Sequence, residues 1–399
     1  MATARAAAPV ASFAEVLHPM TEAEFFADYF NKQPLHLKGT PEKFAGVMSW
    51  QALTDLVNQS LIWSSKSMLL VMDHRNLKPE EYCVQDRNRD GQPVLRPDLG
   101  KVKSWLARGA SIVLNEIDQL NAGLRAAARA LEEGVGGKAQ GNLYCSWKAH
   151  PAFRSHFDSH DVFAFHIAGE KVWNLYERHF TDPIAHVRFK NLPEGFDEKH
   201  KGRLTQQVTL TPGDLLYLPR GWYHDALASS ASTIHVAMGV TYPIGLDIMS
   251  MLFEKAVGQA EFRARLPGDA DGQRRHLATL GDALAGICRD PEVLEAVARH
   301  VAGYRYDRTE VALPADGGTG GSFQVTADDF QVRPVNGRPC LVRGTKAVAI
   351  PAGLDKPIAW VVARRRFSDR ELAEASGLSD QARTKLLEQL HAMDVIAPA

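Results

Sequence analysis

The chain has 399 residues, of which 45% are apolar and 23% charged, with 47 acids against 46 bases and a formal net charge of -1. That length exceeds one ordinary compact core, so two or three domains are expected. The even charge balance excludes a dominant phosphate-binding role, because salt-dependent nucleic-acid affinity needs clustered excess lysine and arginine.

The four cysteines are scattered, with no Cys-x-x-Cys, so neither a zinc knuckle nor a disulfide framework is expected. The opening MATARAAAPVASF is a poor leader peptide, and no apolar run approaches the length of about 18 that a membrane helix needs. A cytoplasmic protein with no membrane partner is the expectation.

In chain order, TEAEFFADYFNKQPLHL reads as a helix from Thr21. Thr21 and Glu24 form a capping box, Phe25, Phe26, Tyr29 and Phe30 supply an apolar face, and Pro34 ends it. A helix is predicted at 49–56 and a strand at 67–72. The polar, turn-rich stretch 84–100 reads as a loop. A short helix at 102–107, a strand at 111–117 and a helix at 121–132 complete a first third expected to flank a sheet.

From 141 to 242 the pattern changes to short strands punctuated by Gly and Pro, at 142–147, 161–167, 171–176, 206–210, 214–218 and 232–242. This predicts an antiparallel barrel or double-sheet jelly roll, the group that includes cupins. Residues 177–203, rich in charge and histidine, are expected to form a lid or a loop beside a site mouth. Helices are predicted at 245–257, 271–286 and 291–301, followed by a linker-like LPADGGTGGS at 313–322. Two helices close the chain. Ser368 and Glu371 cap the first, which carries Leu372, Ala375 and Leu378; the second starts at Ser379 and carries Leu386, Leu387, Leu390 and Met393.

The chemistry lies in SHFDSHDVFAFHIAGEKVWNLY, at 155–176. His156 and Asp158 are two residues apart on an extended stretch, so their side chains leave on the same face. After a turn at Gly169, Lys171 heads the next strand. PRGWYH, ending in His224, follows downstream. Two imidazoles and one carboxylate meeting at a point make a facial triad, the set that non-haem Fe(II) oxygenases use with positions left open. His224 is preferred over its rival His235, because the Pro219–Gly221 turn can aim it back into the barrel.

His18, His36, His74, His276, His300 and His391 read as structural or surface residues. His160 and Asp161 would compete with Asp158 for one coordination face, and His166 reads as a packing or outer hydrogen-bonding residue. With no cysteine beside the set, structural zinc is disfavoured, though three-ligand catalytic zinc stays compatible with the ligand types. Lys171 tips the balance towards iron. A 2-oxo acid chelating through its C1 carboxylate and keto oxygen leaves a remote carboxylate, and Lys171 supplies a cation for it inside the barrel.

These residues, together with GDLLYLPRGWYH and the early EFFADYFNKQPLHLKG, resemble the Jumonji-C (JmjC) ribosomal oxygenases, cupin-fold Fe(II)- and 2-oxoglutarate-dependent hydroxylases of ribosomal proteins. The resemblance implies a mainly β core with helices: a double-stranded β-helix (jelly roll, cupin) with N-terminal helical elements over 1–243. A helical dimerisation segment would follow over 244–305 and a C-terminal winged helix over 306–399. It implies that His156, Asp158 and His224 bind catalytic iron and that Lys171 pairs with the C5 carboxylate of 2-oxoglutarate. Asn142 would lie near the co-substrate, and Thr233 would add a hydroxyl contact. The implied partners are a protein substrate, a ribosomal protein, and a second copy of the chain.

Two departures concern the target. The family often has Gln where this chain has His166, and 177–203 looks longer than usual, so no substrate identity is carried over. Three alternatives stand beside the hydroxylase. One is a JmjC N-methyl demethylase. Another is a regulator with a DNA-reading winged helix, disfavoured by the 12 bases and 12 acids of 306–399. The third is a metal-free or zinc cupin with a structural role.

Overall fold

The computed structural model describes residues 8–147, 154–309 and 321–398, apart from 328, 336 and 345. Residues 313–320 of the predicted linker lie outside the described residues. The chain divides into two compact units, Met1–Arg308 and Thr309–Ala399.

In the first unit the capping box forms. Thr21 Oγ1 accepts from the Glu24 N–H while the Glu24 carboxylate accepts from the Thr21 N–H, starting the helix Glu22–Asp28. That helix ends well short of Pro34, and the chain turns at Asn31, whose φ of 56° is left-handed. Ser49 caps Trp50–Asn58, and Asn121 caps Ala122–Val135. The stretch read as a loop is instead a hairpin, Cys83–Arg87 paired with Pro93–Pro97. Asn88 Oδ1 accepts from the N–H groups of Asp90 and Gln92 and so closes its turn. Most of its residues are at least partly exposed, so no apolar alternation marks either strand.

The barrel strands are β1 Leu35–Leu37, β2 Met68–Met72, β3 Ser111–Leu114, β4 Lys138–Trp147, β5 Asp161–Ala168, β6 Lys171–His179, β7 Leu204–Leu210, β8 Leu215–Leu218, β9 Trp222–Ala228 and β10 Ser232–Thr241. One sheet runs β1–β8–β5–β10–β4–β3–β2, with a two-residue ladder at 75–76 on its edge; the other runs β7–β6–β9. Neighbours are antiparallel.

The period of two along each strand separates two interiors. Phe163, Phe165, Leu143, Cys145, Val236 and Met238 join the large core shared with the N-terminal helices. Val162, Ala164, Leu216 and Leu218 turn the other way and pack against Trp173, Leu175, Val208 and Leu210 of the second sheet. Asn142, Tyr144, Lys171, His224, His235 and Ala237 share that second interior. Polar residues are thus carried between the sheets on strands whose alternate residues are anchored in a dry core.

Four helices follow, Gly245–Val257, Ala260–Arg263, Ala270–Arg289 and Pro291–Ala302, around a small core of Leu252, Ala256, Ile287 and Val293. Leu246, Met249, Phe253 and Val257 form an exposed apolar stripe along the first of them.

Among its described residues the second unit has short strands and three helices, Asp355–Arg364, Asp369–Ser376 and Asp380–Ala392, around Val361, Phe367, Leu372, Leu386 and Leu390. The Ser368–Glu371 capping box forms; the helix Asp355–Arg364 was not among the predicted elements. No described helix is long and apolar enough to cross a membrane.

Candidate metal centre

His156 and His224 pair through their backbones, each N–H donating to the other's carbonyl at 3.0 and 2.9 Å. That bridge sets the two imidazoles side by side, with ring centroids 4.6 Å apart. His224 follows the turn at a strand end, as the third residue of β9, a strand that was not among the predicted ones. The turn before it depends on Gly221, whose φ is 84° and where a Cβ would sit 1.9 Å from the Phe180 carbonyl oxygen. The Gly221 N–H donates to the Asp158 carbonyl at 2.8 Å, tying the turn to the His-x-Asp loop. Asp158 Oδ2 lies 3.6 Å from His224 Nε2. The ligand atoms of His156, Asp158 and His224 all fall within 4.8 Å of one another.

Both imidazoles are held in one tautomer. His156 Nδ1 lies 2.8 Å from the Arg154 carbonyl oxygen, and His224 Nδ1 lies 2.9 Å from that of Trp222. A carbonyl can only accept, so Nδ1 carries the proton and Nε2 presents its lone pair, as a metal requires. Burial pushes His224 down to about 4, His156 adds to the shift and Asp158 opposes it, so the ring is neutral at neutral pH. Burial alone would raise Asp158, but the imidazoles of His160, His156 and His224 outweigh it and hold the carboxyl below its ordinary range. Two neutral imidazoles and one carboxylate suit a divalent first-row metal with positions left open.

Beside this cluster a cavity of about 120 Å³ lies between the sheets, lined in part by Asn142, Tyr144, Lys171 and His235. Lys171 is 5% exposed and pairs with no carboxylate among the described residues. Its Nζ lies 5.9 Å from the ring centroids of both Tyr144 and Trp173. Burial lowers its pKa to about 8, with Cys145 opposing. A buried ammonium without a counter-ion is costly, and an anionic guest relieves that cost. Asn142 Oδ1 accepts from the Glu116 N–H at 3.1 Å. Thr233 is fully buried on the inward face of β10, away from the cavity lining, and its Oγ1 has no partner among the described residues. A metal at the cluster and a small dicarboxylate reaching towards Lys171 fit these donors.

The other candidates separate. His235 stacks flat on Tyr144, centroids 4.8 Å apart at 8°, and lies outside the ligand cluster. Burial, helped by Lys171 and His166, holds it well below its ordinary pKa. His166 is buried beyond the cavity, with Nε2 2.9 Å from the Gly169 carbonyl oxygen. His160 lines the cavity. Asp161 does not compete for the metal: its carboxylate accepts from the Arg220 N–H and from the hydroxyls of Tyr217 and Tyr242. It clamps the turn that precedes His224.

A cleft of about 500 Å³ also opens onto His156 and Asp158, walled by Phe189, Glu194, Asp197 and Glu198 of the insertion. Phe157 stacks on Phe180 at 4.9 Å, and Lys201 Nζ donates to Ser155 Oγ at 2.9 Å while pairing with Glu198 at 2.7 Å. Ser155 and Tyr176 hydroxyls both donate to Asp225 Oδ2. Sequence reasoning missed Ser155, Tyr176, Lys201 and Asp225. Ser155 and Asp225 each neighbour a ligand in sequence, and alternation turns them to the opposite face, where no motif announced them.

Residues 119–248 match the JmjC domain family. The chain is 28% identical over 252 residues to the bifunctional lysine-specific demethylase and histidyl-hydroxylase NO66 of Aedes aegypti, covering 62% of this chain and 38% of that protein. It is 26% identical over 273 residues to the uncharacterized protein YxbC of Bacillus subtilis, covering 62% of this chain and 76% of that one. Among solved structures, ycfD of Escherichia coli superposes with a TM-score of 0.50 at 15% identity, over 95% of this chain and 98% of that one, a likeness of fold.

Proposed function

We propose that this chain, which belongs to the JmjC-domain ribosomal oxygenase family, is an Fe(II)- and 2-oxoglutarate-dependent oxygenase that hydroxylates a side chain of a ribosomal protein. The observation that carries the reading is Lys171: an ammonium buried without a carboxylate among the described residues, facing the cavity beside His156, Asp158 and His224. A metal site alone has no need of that cation, whereas a metal-chelating dicarboxylate does.

His156 Nε2, His224 Nε2 and the Asp158 carboxylate would hold iron. Lys171 would receive the C5 carboxylate of 2-oxoglutarate, Asn142 would donate from its Nδ2, and the Thr233 hydroxyl would add a contact. Iron and the oxo acid, when bound, supply with O2 the oxidising power that converts a C–H bond into C–OH and yields succinate and CO2. This chain's residues supply geometry: fixed tautomers at the ligands, a cavity in which Val162, Trp173, Ala226 and Ala237 share the wall with the polar groups, and a route for the target. The route is the cleft of the 177–203 insertion, whose Glu194 and Asp197 suit a basic segment of the kind ribosomal proteins carry, Glu198 being paired already with Lys201.

The apolar stripe Leu246, Met249, Phe253 and Val257 supports 244–305 as a dimerisation segment covered by a second copy. Residues 1–243 then form the catalytic domain, and the terminal helices and strands of 306–399 form a winged helix. Its balanced charge favours a role other than DNA binding. A cytoplasmic setting goes with this substrate.

Mass spectrometry of ribosomal proteins from cells with and without the gene tests the reading. One protein should carry an added oxygen only when the gene is present. The Aedes aegypti relative is named for both demethylation and hydroxylation. Formaldehyde released from methylated peptides, with no oxygen added to any ribosomal protein, would replace the hydroxylase with a demethylase.

A further inference from the structure

We propose that Arg308, far from every motif in the chain, is a positioning residue for the co-substrate wall of the cavity; the proposal rests on the oxygenase reading above for its functional consequence. Its side chain is 3% exposed. Its Nε and Nη2 donate to the two carboxylate oxygens of Glu132, at 2.8 and 3.0 Å, and its Nη1 donates to Asp118 Oδ2 at 2.8 Å. Nη2 also donates to the Ala139 carbonyl, and the Arg308 carbonyl accepts from Arg129. A planar fork satisfying two buried carboxylates and a strand carbonyl is a site only arginine can fill.

Those carboxylates in turn hold β4. Glu132 Oε1 accepts from the Ala139 N–H and Asp118 Oδ1 from the Gly141 N–H. The loop before Asp118 completes the grip, with the Ile117 N–H donating to the Gly141 carbonyl at 2.8 Å and the Glu116 N–H to Asn142 Oδ1. Glu116 sits at φ 59°, a left-handed conformation that a glutamate keeps only when its surroundings hold it there. Because the Glu116 N–H can only donate, it fixes Oδ1 as the inner amide atom of Asn142 and leaves the Nδ2 donors for the cavity that Asn142 lines. The line of contact therefore runs from Arg308 through Asp118 and the 116–118 loop to the orientation of one amide beside the metal.

The experiment uses the full chain in three forms, Arg308→Lys, Asn142→Ala and the double variant. Manganese loading permits 2-oxoglutarate affinity to be measured without turnover, and amide hydrogen exchange is followed across 111–147. Arg308→Lys keeps the charge and loses the fork. It should speed exchange at the Ile117 and Gly141 amides by at least about tenfold, leave β5 and β10 amides unchanged, and weaken 2-oxoglutarate about tenfold with manganese affinity intact. Asn142→Ala should weaken the co-substrate similarly, and the double variant no further, since both act through one amide. Unchanged exchange at Ile117 and Gly141 overturns the proposal whether or not the chain binds 2-oxoglutarate. Losses that add in the double variant overturn it too. Faster exchange in a chain whose unsubstituted form fails to bind 2-oxoglutarate would keep the clasp and sink the oxygenase reading instead.

Discussion

The mouth of the barrel and its floor solve opposite problems. At the mouth, the metal-facing imidazoles are satisfied from within: His156 and His224 each rest Nδ1 on a carbonyl, their backbones pair, and Gly221 ties the turn to Asp158. At the floor, among the described residues, polarity is left open, with an ammonium lacking a carboxylate at Lys171 and an unpartnered Nδ1 on His235; Thr233 Oγ1, buried off the cavity lining, is unpartnered as well. Buried polar groups are ordinarily bonded, so a cluster of exceptions marks either a guest or a cost carried for function. A metal ion needs ligands prepared in advance, and an organic co-substrate brings its own oxygens. The proposed function calls for those two kinds of guest, a metal ion at the mouth and a co-substrate at the floor.

The comparison breaks most visibly at the mouth. Asp158→Ala or His156→Ala should cut succinate formation by at least about a thousandfold, because two remaining ligands do not hold a divalent ion in a site with open positions. Metal content measured alongside should fall with it. Retained turnover in either variant would remove the metal from the proposed place.

At the floor the same comparison predicts a split. Lys171→Met should weaken 2-oxoglutarate about a hundredfold, the worth of a charge-assisted bond of roughly 2–3 kcal/mol, and leave metal affinity near its original value. The ligand-free protein should not be destabilised and should gain up to about 1 kcal/mol, since an uncompensated buried charge is removed. Loss of metal together with co-substrate would show that mouth and floor are not separate devices.

Acidity sharpens the split. Lys171 is ordinarily near 10.5 and is held by burial at about 8. Between those values the folded, ligand-free chain holds fewer protons than the unfolded one, so this group makes stability rise with pH across that window. Co-substrate affinity should run the other way. The bound carboxylate needs the ammonium, so above about pH 8 binding takes up a proton and weakens by up to about tenfold per pH unit. Calorimetry of 2-oxoglutarate binding in buffers of different ionisation enthalpy would measure that uptake. Binding that stays flat from pH 8 to 10 would free the carboxylate of Lys171.

The mouth was more legible in the sequence than the floor. His156 and Asp158 announce themselves by spacing, and Gly169 and Lys171 by a turn that opens a strand. His224 was reached through the turn alone and not through its strand. Pro219 and Gly221 signal the turn, but WYHDALA has too little alternation to read as a strand, and β6 is what makes it one. The hairpin 83–97 was misread because most of its residues meet solvent, so its few apolar residues, Val84, Val94 and Leu95, do not alternate with polar ones. Arg308, Asp118 and Glu132 lie scattered over nearly 200 positions and meet only in three dimensions. No periodicity can report a contact between charges that belong to no repeating face. The floor shows the same limit: STIHVAMG offers His235 as a rival ligand, and only the fold shows it stacked on Tyr144 outside the cluster.

Thr233 carries the smallest and most discriminating prediction. Replacing it with Val keeps the shape and deletes an orphaned hydroxyl, so the ligand-free protein should gain about 1 kcal/mol, the cost of burying that group unbonded. If the hydroxyl serves the co-substrate, 2-oxoglutarate should bind about threefold to tenfold more weakly, a neutral hydrogen bond's worth, and the thermal shift on adding it should shrink accordingly. Greater stability with unchanged affinity would make the orphan a packing flaw in β10 rather than part of the site. The floor's guest would then rest on Lys171 and Asn142 alone, and the contrast with the mouth would narrow to one charge and one amide.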